Sequence, residues 1–401
     1  MSKVTWDYVA VRNILSLSSG LPYTQAQPDP SGKIPIYGSS GLAGYGNRKL
    51  SPKPTIVIGR VGEGGVGSVR YVEEPAWVTD NALWADRIND RWLLRFVAAY
   101  LSWLDLRRFR SQTGQPLITQ KVIASQIIPA PSLGEQRRIG EILDSVDDYI
   151  QANICLIAKQ RELRLASIRR VAATGLVCFD GIEASELHRG ARRSSGSWSL
   201  VPLGSVLAGI DAGHSPDLED TPAGAGQWGV LKVSAVGEDG FRPGDNKIVR
   251  NRALYDSAIC VRSGDLLMTR ANTSQLVGRS CIVGDSPPGL MLCDKTLRLQ
   301  VDERFVPTRY IHIVLGLAEV RRQIEIAATG TSGSMKNISQ HSIRQLMIPL
   351  GRPEEMRQVV EIDILSEAQI SALRREVEGL RLLKRGLMDD LLTGQVRVFL
   401  G

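Results

Sequence analysis

Histidine, aromatic side chains and paired cysteines are scarce in this chain of 401 residues. Only four residues are histidine and 5% are aromatic. The histidines (His188, His214, His312 and His341) stand far apart, and no ligand-spaced cluster or H-E-x-x-H motif occurs. Nothing in the sequence therefore points to a bound metal. The five cysteines, Cys155, Cys178, Cys260, Cys281 and Cys293, are odd in number and contain no C-x-x-C pair. Lying in apolar contexts, they read as reduced thiols, which fits a cytoplasmic protein. No run reaches the roughly 18 apolar residues that a membrane-spanning helix needs. The opening Met1-Ser2-Lys3-Val4-Thr5-Trp6-Asp7 lacks the apolar stretch of a signal peptide. The expectation is a cytoplasmic protein with no membrane partner.

Catalytic signatures are also missing. No G-x-x-x-x-G-K-[ST] loop, no G-x-S-x-G elbow and no Asn-Pro-Pro-aromatic stretch is present. The Gly62-x-Gly64-x-x-Gly67 stretch follows an apparent strand, Thr55–Ile58. A dinucleotide site would next open a helix, but the strand-like Ser68-Val69-Arg70-Tyr71-Val72 follows, so a hairpin turn is the better reading. Asp147-Asp148 and Asp389-Asp390 read as solvated helix faces. No catalytic residue is assigned.

What the chain does have is basic charge. Its net charge is +7, which favours a polyanionic partner. The excess is uneven. Residues 1–197 carry 25 Lys and Arg against 18 Asp and Glu, whereas residues 198–401 carry 24 of each.

It also has a repeat. Ile118, Gln120, Ile123, Ile128-Pro129, Glu135, Arg137, Glu141-Ile142, Ile150, Ala152 and Leu163 recur 220 residues later. The second set is Ile338, Gln340, Ile343, Ile348-Pro349, Glu355, Arg357, Glu361-Ile362, Ile370, Ala372 and Leu383. Both copies end on Thr-Gly, at Thr174-Gly175 and Thr393-Gly394, and Trp6-x-x-Val9 weakly matches Trp198-x-x-Val201. Two copies are too few for a solenoid and instead suit a pseudo-symmetric protein with a two-part target.

Each copy runs in the same order. A stretch rich in glycine, proline and β-branched residues comes first, with short alternating runs such as Thr55–Ile58, Ser68–Val72, Gly229–Val233 and Asp265–Thr269, which read as strands. A helix is predicted over Trp92–Arg110 and over Pro307–Ala328. A long helix follows in each copy. The first opens on the capping-box spacing Ser132-Leu133-Gly134-Glu135 and the second on Pro353-Glu354-Glu355. Apolar residues then recur at gaps of three and four, and each stripe calls for a partner helix. The pairing candidates are Ile139, Val146, Ile150, Ile157 and Leu165 in the first helix. In the second they are Ile370, Leu373, Val377, Leu380 and Leu387.

The fold expected is α+β: two similar strand-rich α/β domains separated by two long antiparallel helices in a pseudo-two-fold arrangement. The divisions are residues 1–130, the helix at 131–175, a polar linker at 176–197, residues 198–350 and the second helix at 351–401. Arginine and lysine can neutralise phosphates, and arginine and asparagine can also read base edges. The candidate DNA contacts of the first unit are Arg48, Lys49, Lys53, Arg60, Arg70, Arg107, Arg108, Arg110 and Lys121. Those of the second are Lys232, Lys247, Arg270, Asn272, Arg279, Lys336 and Asn337.

Together these residues resemble the specificity subunit of Type I restriction-modification systems. The likeness rests on Ile34-Pro35-Ile36-Tyr37-Gly38-Ser39-Ser40-Gly41 with Gly44-Tyr45, on Ile56–Gly67 and on Pro75-Ala76-Trp77-Val78-Thr79-Asp80-Asn81. It rests most on the doubled Ile-Pro unit and Glu135-Gln136-Arg137-Arg138-Ile139, with the tail Lys384–Val398. The resemblance implies a non-catalytic DNA-recognition subunit with two target-recognition domains, each reading one half of a split site on double-stranded DNA. It implies helices that space these domains and dock two modification (methyltransferase) subunits, with restriction (motor-nuclease) subunits completing the complex. No cofactor of its own is expected; S-adenosylmethionine, ATP and Mg would bind the partner subunits. A coiled-coil scaffold joining two protein-binding domains stays open as an alternative, and the Gly62–Gly67 loop leaves a nucleotide-dependent enzyme as a third.

Overall fold

The computed structural model describes residues 6–111, 114–172, 179, 194–237, 240–332 and 335–398. The expected helix stop at Thr174-Gly175, Cys178 and most of the 176–197 linker lie outside these residues. The chain folds as two compact units, residues 1–157 with 372–401, and residues 158–371.

In the first unit, β1 (Asp7–Ala10) precedes β2 (Leu15–Ser19), β3 (Ile34–Gly38), β4 (Gly41–Gly46), β5 (Thr55–Gly59), β6 (Val69–Val72), β7 (Trp77–Val78) and β8 (Ala82–Ile88). Helices α1 (Leu94–Trp103) and α2 (Gln120–Ala124) and strand β9 (Ile127–Ala130) follow. A four-stranded sheet has the order β2-β8-β5-β6, a three-stranded one β4-β3-β7, and β1 pairs with β9. β5 is buried at every residue, as its unbroken Thr-Ile-Val-Ile run requires of a central strand. Ile56, Ile58, Phe96 and Leu101 form the core with Ile139 and Leu143 of the long helix α3 (Leu133–Val171). The helix predicted over Trp92–Arg110 is shorter. Asp105, in the left-handed region at φ 51°, ends it, and Leu106–Phe109 make a separate 3₁₀ turn.

The second unit contains β10 (Ser194–Ser195), β11 (Trp198–Pro202), β12 (Leu207–Ala212), β13 (Gly229–Leu231), β14 (Val236–Gly237), β15 (Gly240–Phe241) and β16 (Asn246–Ile248). Next come β17 (Leu266–Thr269), β18 (Ala271–Asn272), β19 (Ser280–Ile282), β20 (Leu290–Met291) and β21 (Thr296–Val301). Helices α4 (Thr308–Leu315) and α5 (Ala318–Ala327) precede β22 (Thr329–Ser332), β23 (Met335–Asn337), α6 (Gln340–Gln345), β24 (Met347–Leu350) and the long helix α7 (Pro353–Thr393). The sheets β12-β21-β17-β19 and β16-β13-β20 and the pair β11-β24 repeat the first unit's order. Where one helix is predicted over Pro307–Ala328 there are two, because the chain turns at Gly316 and Leu317 is extended.

The long helices carry the caps their sequences demand. Ser132 Oγ and Glu135 exchange hydrogen bonds, with Glu135 N–H to Ser132 Oγ at 3.3 Å and Ser132 N–H to Glu135 Oε2 at 3.0 Å. Burial pushes the Glu135 carboxyl up, but the Ser132 amide and the Arg397 guanidinium outweigh it and hold it below its ordinary value. α7 ends at Gly394, at φ 75°, where a Cβ would meet the Trp6 ring at 2.9 Å.

Within each unit the helices run antiparallel. In the first, Val146, Ile150 and Val377 cluster, with Ile157, Leu380 and Leu387 against them, and Lys384 Nζ pairs with Asp147 at 2.6 Å. In the second, Arg164 pairs with Asp363 and, at 3.2 Å, with Glu367. Arg309 also reaches Asp363, at 2.6 Å. Ile370 is buried and Leu373 half-buried, whereas Leu165 is 44% exposed and Ile168 is buried instead. The fold class read from the sequence, strand-rich domains with two long antiparallel helices, is borne out.

Candidate nucleic-acid interface

The Gly62–Gly67 stretch joins the antiparallel strands β5 and β6. Gly67 N–H donates to Gly59 O and Gly59 N–H to Ser68 O, both at 2.8 Å. Val66 is fully buried beneath the loop. Gly67 lies at φ 74°, and a Cβ there would stand 2.5 Å from the backbone nitrogen of Arg107. Only glycine permits this approach, and it brings the 106–110 turn against the loop. On the loop's other flank, Ser68 Oγ donates to Ser39 O at 2.9 Å, and Arg70 donates to Ser68 Oγ and to Ser40 O at 2.9 and 3.0 Å. Arg60, Arg70, Arg107, Arg108 and Arg110 thus belong to one loop, the strand that leaves it and the turn packed against it. Arg110 is drawn to Glu63 at 3.5 Å, and Arg108 lies over the Phe109 ring at 5.6 Å.

The second unit builds the same loop between β17 and β19. Gly278 N–H donates to Thr269 O and Thr269 N–H to Arg279 O, both at 2.8 Å. Gly278 lies at φ 70°, where a Cβ would meet Ile324 at 2.5 Å, and Val277 is fully buried. Arg270, Asn272 and Arg279 belong to this loop. Lys336 and Asn337 sit on β23, which pairs with β18 at the loop's start, and the Lys336 ammonium donates to Gly330 O at 2.8 Å.

The remaining candidates belong elsewhere. Arg48 lies over Trp77 at 5.7 Å. Lys49 and Lys53 are exposed between β4 and β5, and Lys121 is exposed on α2. Lys232 and Lys247 lie by the β16-β13-β20 sheet, where Lys232 pairs with Asp220 at 2.5 Å. Burial pushes the Cys281 thiol up to about 12, so it stays protonated at neutral pH. No cluster of metal-ligating residues occurs among the described residues. No helix among them is long and apolar enough to cross a membrane.

At the 220-residue spacing of the repeat, the two glycine-closed loops do not align. The loops nevertheless match, and the reason they were missed is spacing. The long helices repeat at 220 residues, but Gly67 and Gly278 are 211 apart, so the intervening segments differ in length. The usable signal was a Gly after a buried Val, just before an outgoing strand, in both halves.

Residues 3–157 match the family model of the Type I restriction modification DNA specificity domain. Over 154 residues the chain is 33% identical to the Type I restriction enzyme EcoEI specificity subunit of Escherichia coli, a match covering 38% of this chain. That match spans 26% of the relative's own length. Across 98% of this chain, the fold resembles the S subunit of a Type-I restriction-modification system from M. genitalium. The TM-score is 0.59 at 14% identity, with 97% of that chain covered, a likeness of fold alone. The likeness to Type I specificity subunits read from the residues is borne out.

Proposed function

We propose that this chain is the DNA-reading component of a Type I restriction-modification complex, with each unit recognising one half of a bipartite site on double-stranded DNA. The observation that carries this reading is the doubling of one architecture. Both units present a hairpin loop that opens with arginine, leaves a central sheet strand and closes on a positive-φ glycine. Two related but non-identical reading heads suit a target of two unlike halves. On this reading the long helices dock two modification subunits, which bring the methyl-transfer chemistry, and restriction subunits add cleavage in the cytoplasm. The chain itself contacts DNA and catalyses nothing.

The test is to co-express the chain with its modification partner and sequence the methylated bases of the host genome. A two-part motif with an unread gap is expected. Exchanging residues 1–130 for the corresponding part of a related chain should change one half of that motif and leave the other. A complex that forms but methylates without sequence preference would favour a protein scaffold instead.

A further inference from the structure

The two hairpin loops differ in most side chains but begin with the same residue. Arg60 enters the first directly after β5, and Arg270 enters the second directly after β17. Each backbone is gripped from both sides. Arg60 N–H donates to Asn81 O at 3.0 Å, and its carbonyl accepts from Ile118 N–H at 2.9 Å. Arg270 N–H donates to Lys295 O at 2.8 Å, and its carbonyl accepts from Ile338 N–H at 3.0 Å. Ile118 and Ile338 are both buried and correspond in the 220-residue repeat. The following residues pair alike, Val61 with Leu117 and Ala271 with Asn337.

Arg70, Arg110 and Lys232 are tied down by neighbours. The guanidinium groups of Arg60 and Arg270 have no hydrogen-bond or ion-pair partner among the described residues. A permanently charged planar fork on a rigid backbone is suited to phosphate oxygens. Past this residue the loops diverge, Gly62-Glu63-Gly64-Gly65 against Thr273-Ser274-Gln275-Leu276. A residue shared by two heads that otherwise differ should contact what two half-sites share, and that is the sugar-phosphate backbone rather than any base.

We infer that Arg60 and Arg270 are matched phosphate contacts, one in each unit, which set the register in which the divergent loop residues beside them meet the bases. The inference rests on the DNA-reading function proposed above. It is tested with the full chain in complex with its modification subunit. Arg60→Ala, Arg270→Ala and Arg60→Lys are titrated with the duplex that the complex methylates and with a scrambled duplex, over a range of salt concentrations. Each alanine variant should weaken both duplexes roughly tenfold or more. Each should also flatten the plot of log affinity against log salt by about 0.9, with the methylated sequence unchanged. Arg60→Lys keeps the charge and should keep the slope, which separates lost contact from lost fold. An unchanged slope in the alanine variants, or a change in which bases are methylated, would overturn the assignment. If the unsubstituted complex shows no preference for its own duplex, the DNA-reading function itself falls. If the parent is selective and the variants are indifferent, only the arginine assignment falls.

Discussion

His312 shows how one side chain can tie stability to pH. It sits on α4, partly buried, with Nδ1 3.0 Å from Ser280 Oγ. Burial lowers its pKa from 6.5 to about 4. The Asp363 carboxylate opposes this shift, and the Arg164 and Arg309 guanidinium groups add to it. In the unfolded chain the imidazole takes up a proton as pH falls through 6.5, whereas in the folded chain it resists until about 4. The stabilisation is therefore complete above 6.5 and is lost progressively between these values, up to about 3 kcal/mol. Denaturant midpoints at neutral pH and near pH 5 should differ more for the parent than for His312→Asn, which keeps a polar atom near Ser280. Carboxylates titrating in the same range act on both proteins and cancel in the comparison. Equal pH slopes would show that the imidazole contributes nothing.

At the level of elements, the helix pairing depends on two kinds of ion pair that differ in burial. Asp147 with Lys384 and Glu367 with Arg164 are the same pair by the 220-residue repeat. The Asp147 carboxylate is 48% exposed, so truncating Lys384 to alanine should cost no more than about 1 kcal/mol. Asp363 differs. It is fully buried and holds both Arg164 and Arg309, at the position where the first helix has the buried Leu143. Asp363→Ala leaves two guanidinium groups without their shared partner and should cost about 3–5 kcal/mol, read from urea unfolding of the full chain. A loss as small as that of Lys384→Ala would show that water replaces the carboxylate without penalty. The apolar stripe, the Ser132–Glu135 cap and the Pro353 start were legible because each is a local pattern within one turn or one helical period. Asp363 was not legible, because an acid in a stripe reads as solvated until the partners on α3 and α4 are known. The match between the two hairpin loops was hidden for a related reason. Its equivalence lies in hydrogen bonding from Ile118 and Ile338, segments more than 50 residues further along the chain.

At the scale of the whole molecule, the repeat makes the half-chain a test of the pairing register. Asp147 faces Lys384 in one unit and Arg164 faces Glu367 in the other. Subtracting the repeat length turns both pairs into Asp147 with Arg164, so two copies of residues 1–197 can pair their own α3 helices antiparallel and form that ion pair twice. Apolar residues must match as well. Leu391 and Leu392 of α7 complete the first unit's core, and their repeat equivalents are Val171 and Ala172. The dimer is therefore predicted to form by sedimentation but to melt below the full chain, because Ala172 leaves a void where Leu392 stood. Voids of this size cost about 2–5 kcal/mol per site. Ala172→Leu should raise the half-chain dimer's melting temperature. In the full chain Ala172 is already buried in the second unit's core, so the same substitution should overpack and lower it. On the DNA-reading function proposed here, the dimer carries identical heads, and its methylated site should be a palindrome of the half-site assigned to residues 1–130. A half-chain that stays monomeric and folded, or a leucine that shifts both proteins in the same direction, would refute the register.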